Sequence, residues 1–238
     1  GGQISCAPTY TDTIEYASIN ADGSIGAFSY TTTPLPEERY GGVKMLIYRD
    51  IVYVAGGSPL GGGMYGNITL RIDINTSNGD ISGSWSSDTH VNRASVIMLI
   101  YNGFMYKVSG TGSNCTTSAP PTGVNLQVQY AEIESNGSVP FGNWTSGSAY
   151  AEALCSNQGF IYNGYIYIIG GGDPNNSGAA TDTIQYAPIN SDGSVGAWSV
   201  TESMDQARDL FWGAEVYNGY IYLAGGNFGG HLNSVVYK

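Results

Sequence analysis

Apolar and polar positions alternate in short runs along the whole chain, and the same run keeps returning. Ile51-Val52-Tyr53-Val54-Ala55, Phe104-Met105-Tyr106-Lys107-Val108, Tyr165-Ile166-Tyr167-Ile168-Ile169 and Tyr220-Ile221-Tyr222-Leu223-Ala224 each follow a two-residue break and a preceding β-rich run that ends in Tyr. The break is Asn102-Gly103, Asn163-Gly164, Asn218-Gly219 or Arg49-Asp50. Asn, Asp and Gly tolerate the positive φ of a type I′ turn, so each pair of runs reads as a tight hairpin. The pattern predicts strands over 43–48, 51–55, 95–101, 104–108, 158–162, 165–169, 212–217 and 220–224, with Tyr53, Tyr106, Tyr167 and Tyr222 equivalent. Gly56-Gly57, Gly170-Gly171 and Gly225-Gly226 end the second strand where the backbone must bend, and Ser109-Gly110 takes that place in the other copy.

A second element follows each hairpin. It alternates apolar and polar residues, turns at Asp22-Gly23, Asn78-Gly79, Asn136-Gly137 or Asp192-Gly193, and resumes towards Phe28, Trp85, Trp144 or Trp198. One period of about 56 residues thus holds four strands, a to d in chain order, with the aromatic on strand d. A lone four-stranded meander cannot bury both faces, so such units stack as the blades of an all-β propeller, with the aromatic series between blades. No helical periodicity and no linker interrupts the chain, which reads as one domain over 1–238 with repeats at about 1–31, 40–90, 91–147, 153–201 and 208–238. Strand c recurs once more than strands a, b and d. The surplus strand points to a larger ring than four blades or, second, to pairing with another molecule.

Thr33-Pro34-Leu35-Pro36-Glu37-Glu38-Arg39-Tyr40-Gly41-Gly42, leading into Asp50 to Gly57, resembles a kelch repeat, and the resemblance extends through four divergent copies. It implies a propeller that binds other proteins, with a minority of enzymes such as galactose oxidase. The copies depart from the pattern at Ser109-Gly110, and at Glu152 and Ala153, where Arg is expected. The turn Asp192-Gly193-Ser194-Val195-Gly196-Ala197-Trp198 also resembles the Asp-box of sialidase-like propellers, but Trp198 lies six residues after Asp192 rather than five. The kelch resemblance is therefore preferred.

Charge narrows the partners. With 8 basic residues and a net charge of −11, the chain has no basic stripe to neutralise phosphates, which argues against nucleic acid and anionic membrane surfaces. No apolar run reaches the ~18 residues that a spanning helix needs. Charged residues are only 11 %, so Ser, Thr, Asn, Gly and Tyr must supply the wet surface, as in extracellular β-proteins. The first residue is Gly1, without Met or a signal-like segment, and the sequence reads as a mature, cleaved or cropped form.

Candidate chemistry lies in the loops. Arg39, Arg93 and Arg208 hold equivalent positions between strands d and a. They could clamp an anionic group through bidentate bonds, or pin local carbonyls and acids such as Glu37 or Asp209. The b–c loops escape the repeat and carry Tyr65, Phe228 and His231 as candidate ligand contacts. The Asp-Gly and Asn-Gly turns lack the alternating acids and terminal Glu of a calcium loop. His90 and His231 form no ligand-spaced pair, so neither a metal nor a cofactor is called for. Cys115 and Cys155 fall in loops that share a face, where a disulfide is geometrically plausible in an oxidising compartment, and Cys6 is the odd one. The resulting expectation is a non-catalytic extracellular module that recognises a protein or glycan through its b–c and d–a loop face. A surface-filament subunit that self-associates through its terminal strand is the second reading, and a carbohydrate-active enzyme the third.

Overall fold

In a computed structural model of the chain, the described residues are 2–3, 10–39, 43–57, 68–89, 97–108, 127–154, 157–209, 213–228, 231–232 and 236–237. They form two compact units, Gly1–Asn92 with Glu134–Phe141, and Arg93–Ile133 with Gly142–Lys238. Both are built from antiparallel sheets whose strands follow one another in chain order.

The first unit opens with two short ribbons, β1 (Gly2–Gln3) on β2 (Tyr10–Thr11) and β3 (Glu15–Tyr16) on β4 (Ser29–Tyr30). A four-stranded sheet follows: β5 (Lys44–Tyr48), β6 (Ile51–Ala55), β7 (Ile68–Asp73) and β8 (Ser86–Thr89). The second unit holds two such sheets. One is β9 (Ile97–Tyr101), β10 (Phe104–Val108), β11 (Gln127–Glu132) and β12 (Thr145–Ala149). The other is β13 (Gln158–Tyr162), β14 (Tyr165–Asp173), β15 (Ala179–Pro188) and β16 (Ser199–Val200). In a third sheet β17 (Gly213–Tyr217) and β18 (Tyr220–Ala224) are joined by β21 (Val236–Tyr237), while β19 (Asn227–Phe228) pairs β20 (His231–Leu232) beside them.

The a–b hairpins lie where the alternation puts them, with Tyr48↔Ile51, Tyr101↔Phe104, Tyr162↔Tyr165 and Tyr217↔Tyr220 closing each turn. Asn102, Asn163 and Asn218 stand at φ 47, 48 and 51, and Arg49 and Asp50 adopt the same left-handed region at φ 50 and 53. The b strands are the cores of their sheets. Val52, Tyr53, Val54, Met105, Tyr106, Val108, Ile166 and Ile168 are all buried, because an inner strand of a stacked sheet has protein on both faces.

The second element differs from the hairpin expected of it. Three of the four c–d turns are closed by a single bridge (Ile19↔Ile25, Ile74↔Ile81 and Ile189↔Val195), and strand d starts only after the aromatic, at Ser29, Ser86, Thr145 or Ser199. Side chains take the place of the ladder. Ser24 N donates to Asp22 Oδ1 (2.9 Å), Ser138 N to Asn136 Oδ1 (2.8 Å) and Ser194 N to Asp192 Oδ1 (3.0 Å), so Asx turns use the peptide groups that a hairpin would pair. The Ser24 and Ser194 hydroxyls, donating to Asp22 Oδ1 (2.7 Å) and Asp192 Oδ1 (2.6 Å), and after them these backbone bonds, hold the two carboxyls below their ordinary range.

The turns seat on the preceding sheet. Within the first unit, Tyr53 Oη donates to Gly137 O (2.9 Å), while Asp88 on β8 accepts from Ser138 Oγ (2.9 Å) and Val139 N (3.1 Å). Within the second, Tyr106 Oη donates to Gly193 O (3.0 Å), and Ser148 Oγ on β12 donates to Gly196 O. A Cβ on Gly137 would collide with Ile51, and one on Gly193 with the Phe104 ring. Gly therefore serves the positive φ and the close approach at once.

Candidate functional site

The b–c and d–a segments leave the same edge of each sheet, and two buried arginines lie there. Arg39 and Arg208 are both 0 % exposed. Arg39 NH1 donates to Gly56 O (2.8 Å) and its NH2 to Glu37 Oε1 (2.9 Å). Arg208 NH1 donates to Gly225 O (2.9 Å) and its NH2 to Gln206 Oε1 (3.4 Å). The co-occurrence of Arg and the Gly pair in the repeat thus has a local cause. Gly56 (φ 72) and Gly225 (φ 73) bend the end of strand b, and the guanidinium satisfies the carbonyl at that bend.

The copy that lacks Arg uses a different pin. Gln185 on β15, 0 % exposed, accepts from Ala151 N (3.0 Å) and Glu152 N (3.3 Å) and donates to Glu152 O (2.9 Å). Its neighbours carry a polar line outward: Thr181 Oγ1 and Thr183 Oγ1 lie 2.8 Å apart, and Thr183 Oγ1 donates to Glu152 Oε2 (2.8 Å). Glu152 itself is exposed.

From Thr181 the backbone leads to a second carboxyl. Arg208 N donates to Thr181 O (2.9 Å) and Gly171 N to Arg208 O (2.7 Å), while Asp209 exchanges both backbone bonds with Asn227 (3.1 and 2.8 Å). Residues 208–209 are therefore held extended between β14–β15 on one side and β19 on the other. The Asp209 carboxyl is half-buried, and its Oδ1 is shut from water with no donor among the described residues. Burial pushes its pKa above the ordinary carboxylate value, and a hydrogen bond with the Asn227 side chain pulls the other way. Burial thus makes this carboxyl hold its proton more tightly than a free one, the direction that a general acid needs.

The first unit has its own concavity at the equivalent sheet position, a cleft of about 300 Å³ lined by Thr13, Ile14, Glu15, Leu35, Val43, Met45 and Val54. Thr13 and Glu15 correspond in the repeat to Thr183 and Gln185. The cleft is mainly apolar, with one carboxyl and no convergent polar set.

Of the residues singled out from the sequence, Arg39 and Arg208 are buried and bonded to the Gly56 and Gly225 carbonyls. Phe228 and His231 are register partners across the β19–β20 ribbon, directly after Asn227. Arg93, Tyr65, Cys115 and Cys155 lie outside the described residues. Among the described residues no group of three His, Cys, Asp or Glu could hold a metal ion, and no helix is long and apolar enough to cross a membrane. Asp209 and Asn227 were not legible as a pair, because a register between two irregular loops joins them. The repeated Thr11-Asp12-Thr13 and Thr181-Asp182-Thr183 was the signal for the hydroxyl pair beside Glu152.

No family model matches the sequence, and no curated protein matches it. Among solved structures, one titled "Structure of YjhT" is similar with a TM-score of 0.64 at 11 % identity, over 95 % of this chain and 78 % of that one. Two expectations are corrected by this finding. The fold resembles a six-bladed sialidase-type propeller and not a kelch-repeat one, so the kelch assignment is withdrawn. The expectation that the chain is no enzyme is withdrawn with it, since a fold of this type does not exclude catalysis. The spacing of Asp192 and Trp198 had counted against the Asp-box resemblance. At this turn Asp192 Oδ1 accepts from both Ser194 N (3.0 Å) and Ser194 Oγ (2.6 Å), which makes it an Asx turn. The chain is an all-β protein of repeated four-stranded antiparallel sheets with a propeller-type fold.

Proposed function

We propose that this chain is an extracellular carbohydrate-active propeller whose working edge, in the second unit, carries Asp209 as proton donor and Glu152 as second carboxyl. The observation that carries the reading is the Asp209 carboxyl, half-buried between two loops with Oδ1 unpartnered among the described residues, beside an Asn amide suited to a sugar hydroxyl. The fold likeness supports a glycan as the substrate class, although fold alone does not fix a reaction. Phe228 and His231, next along the chain from Asn227, are the proposed ring contacts to the sugar. A surface with 11 % charged residues supports the extracellular setting.

Glycoside cleavage needs one carboxyl to protonate the leaving oxygen and another to act as base or nucleophile. Asp209 suits the first role because burial favours its protonated form. Glu152, exposed and held by Thr183, suits the second. Arg208 stays a positioning residue, since its guanidinium is buried against Gly225 O.

A panel of chromogenic glycosides, neutral and sialylated, tests the reading. Turnover of at least one is expected, with Asp209→Asn lowering kcat by roughly 100-fold or more while glycan binding persists. Binding without turnover would return the chain to a non-catalytic glycan receptor. Neither binding nor turnover would overturn the proposal.

A further inference from the structure

The sheet β13–β16 belongs to the copy without its arginine, and the residues around the missing side chain have changed with it. Arg39 and Arg208 stand five residues before β5 and β17, and Ala153 stands five before β13. Each guanidinium is buried and donates to the carbonyl of the glycine after strand b, Gly56 or Gly225. The register Gln158↔Ile169 matches Lys44↔Ala55 and Gly213↔Ala224, so Gly170 (φ 53) is the corresponding glycine. Where the β5–β8 copy has Val43 and Leu70 about this point, the β13–β16 copy has Asn157 and Gln185.

Asn157 is 6 % exposed, and neither its Nδ2 nor its Oδ1 has a partner among the described residues. A buried amide left unpaired at both ends is costly, and an apolar residue serves at this position in the β5–β8 copy, so the amide implies an occupant. Its direction follows from the strand. Asn157 lies two residues before Gly159, which is opposite Ile168, and Ile168 is opposite Gln185. Side chains two apart share a face, so Asn157 projects to the face where Gln185 and Thr183 hold Glu152. Gly170, between them, has no side chain.

We propose, resting on the glycan reading of this edge, that the place takes the protonated amine of a hexosamine unit. The cation follows from the β5–β8 copy, where Arg39 lies between the Gly56 carbonyl (2.8 Å) and the Glu37 carboxylate (2.9 Å). Here Asn157 Oδ1 and the Glu152 carboxylate supply the two acceptors. Asn157 Nδ2 is a donor that a cation leaves unmet, and the hydroxyl on the carbon next to the amine meets it. A lysine or arginine side chain of a protein partner offers no such hydroxyl. The amine enters past residue 153, by the route of the arginine side chain, where Ala153 is half-buried and Glu152 exposed.

Isothermal titration calorimetry of the full chain with the disaccharide of glucosamine, and with its fully N-acetylated form, separates a charged amine from the same sugar without one. The free-amine form should bind tighter by roughly tenfold or more at physiological salt. Asn157→Val, which installs the residue of the β5–β8 copy at constant charge, should remove that preference. So should Ala153→Arg, which supplies the guanidinium from within the chain. Equal binding of the two disaccharides to the wild type would overturn the proposal. So would a free-amine preference that persists in either folded variant, since it would mark attraction to the acidic surface alone. Asp209→Asn should retain the preference. Preference without turnover of any glycoside would thus keep this subsite and remove the catalytic reading, and turnover without preference would do the reverse.

Discussion

At the scale of single residues, the repeat is written by backbone demands more than by side-chain contacts. Arg39 and Arg208 recur because a Gly at φ near 72 turns its carbonyl into the protein, where a cation must meet it. Replacing Arg208 by Met should cost about 3–5 kcal/mol or prevent folding, since Gly225 O loses a charged donor in a buried place. Arg208→Lys should cost less and still be measurable by urea unfolding. No loss in either variant would mean that the carbonyl finds water and that the guanidinium is available to a ligand. Asp50 is the converse case, a residue held at φ 53 where the other copies have Gly. Asp50→Gly should stabilise the chain by about 0.5–1 kcal/mol, read from the urea midpoint, because the strain of a left-handed non-Gly residue disappears.

At the scale of elements, hairpins could be read from the sequence and loops could not. Alternation and Asn-Gly fix each a–b hairpin to within a residue or two, as Tyr162↔Tyr165 and Tyr217↔Tyr220 show, because those signals are local. The c–d segment misleads, since Asp22-Gly23 looks like a hairpin turn while Asx bonds divert its peptides. The pairing of Asp209 with Asn227 escapes altogether, because neither residue belongs to a periodic run. The working edge rests on such non-local pairing, and so it stays hidden in the pattern that reveals the scaffold. Seating of the turns makes its own prediction. Tyr53→Phe and Tyr106→Phe should each cost about 1–2 kcal/mol, because Gly137 O and Gly193 O lose a buried donor. Burial already pushes the Tyr53 hydroxyl up to about 12. No cost at either position would show that the hydroxyls act through something other than the turns.

At the scale of the whole molecule, a repeated scaffold carries one irregular edge. Glu152, Thr183 and Asp209 stand where the repeat changes, at the copy that substitutes Gln185 for Arg and at the loop stitched to β19. The chemistry proposed there depends on the proton of Asp209, and burial raises its pKa above 3.8. A carboxyl whose folded pKa is raised binds its proton more tightly folded than unfolded. Its contribution to stability is therefore present at low pH and lost as pH rises from 3.8 through the raised value. Asp209→Asn should match the wild type in stability below that window and exceed it above, in paired urea titrations. The most direct measurement is the pH dependence of kcat/KM on whichever glycoside is turned over. The wild-type rate should fall on the alkaline side as Asp209 loses its proton, and Asp209→Asn should lower the rate and abolish that limb. An alkaline limb that survives unchanged in Asp209→Asn would contradict that role.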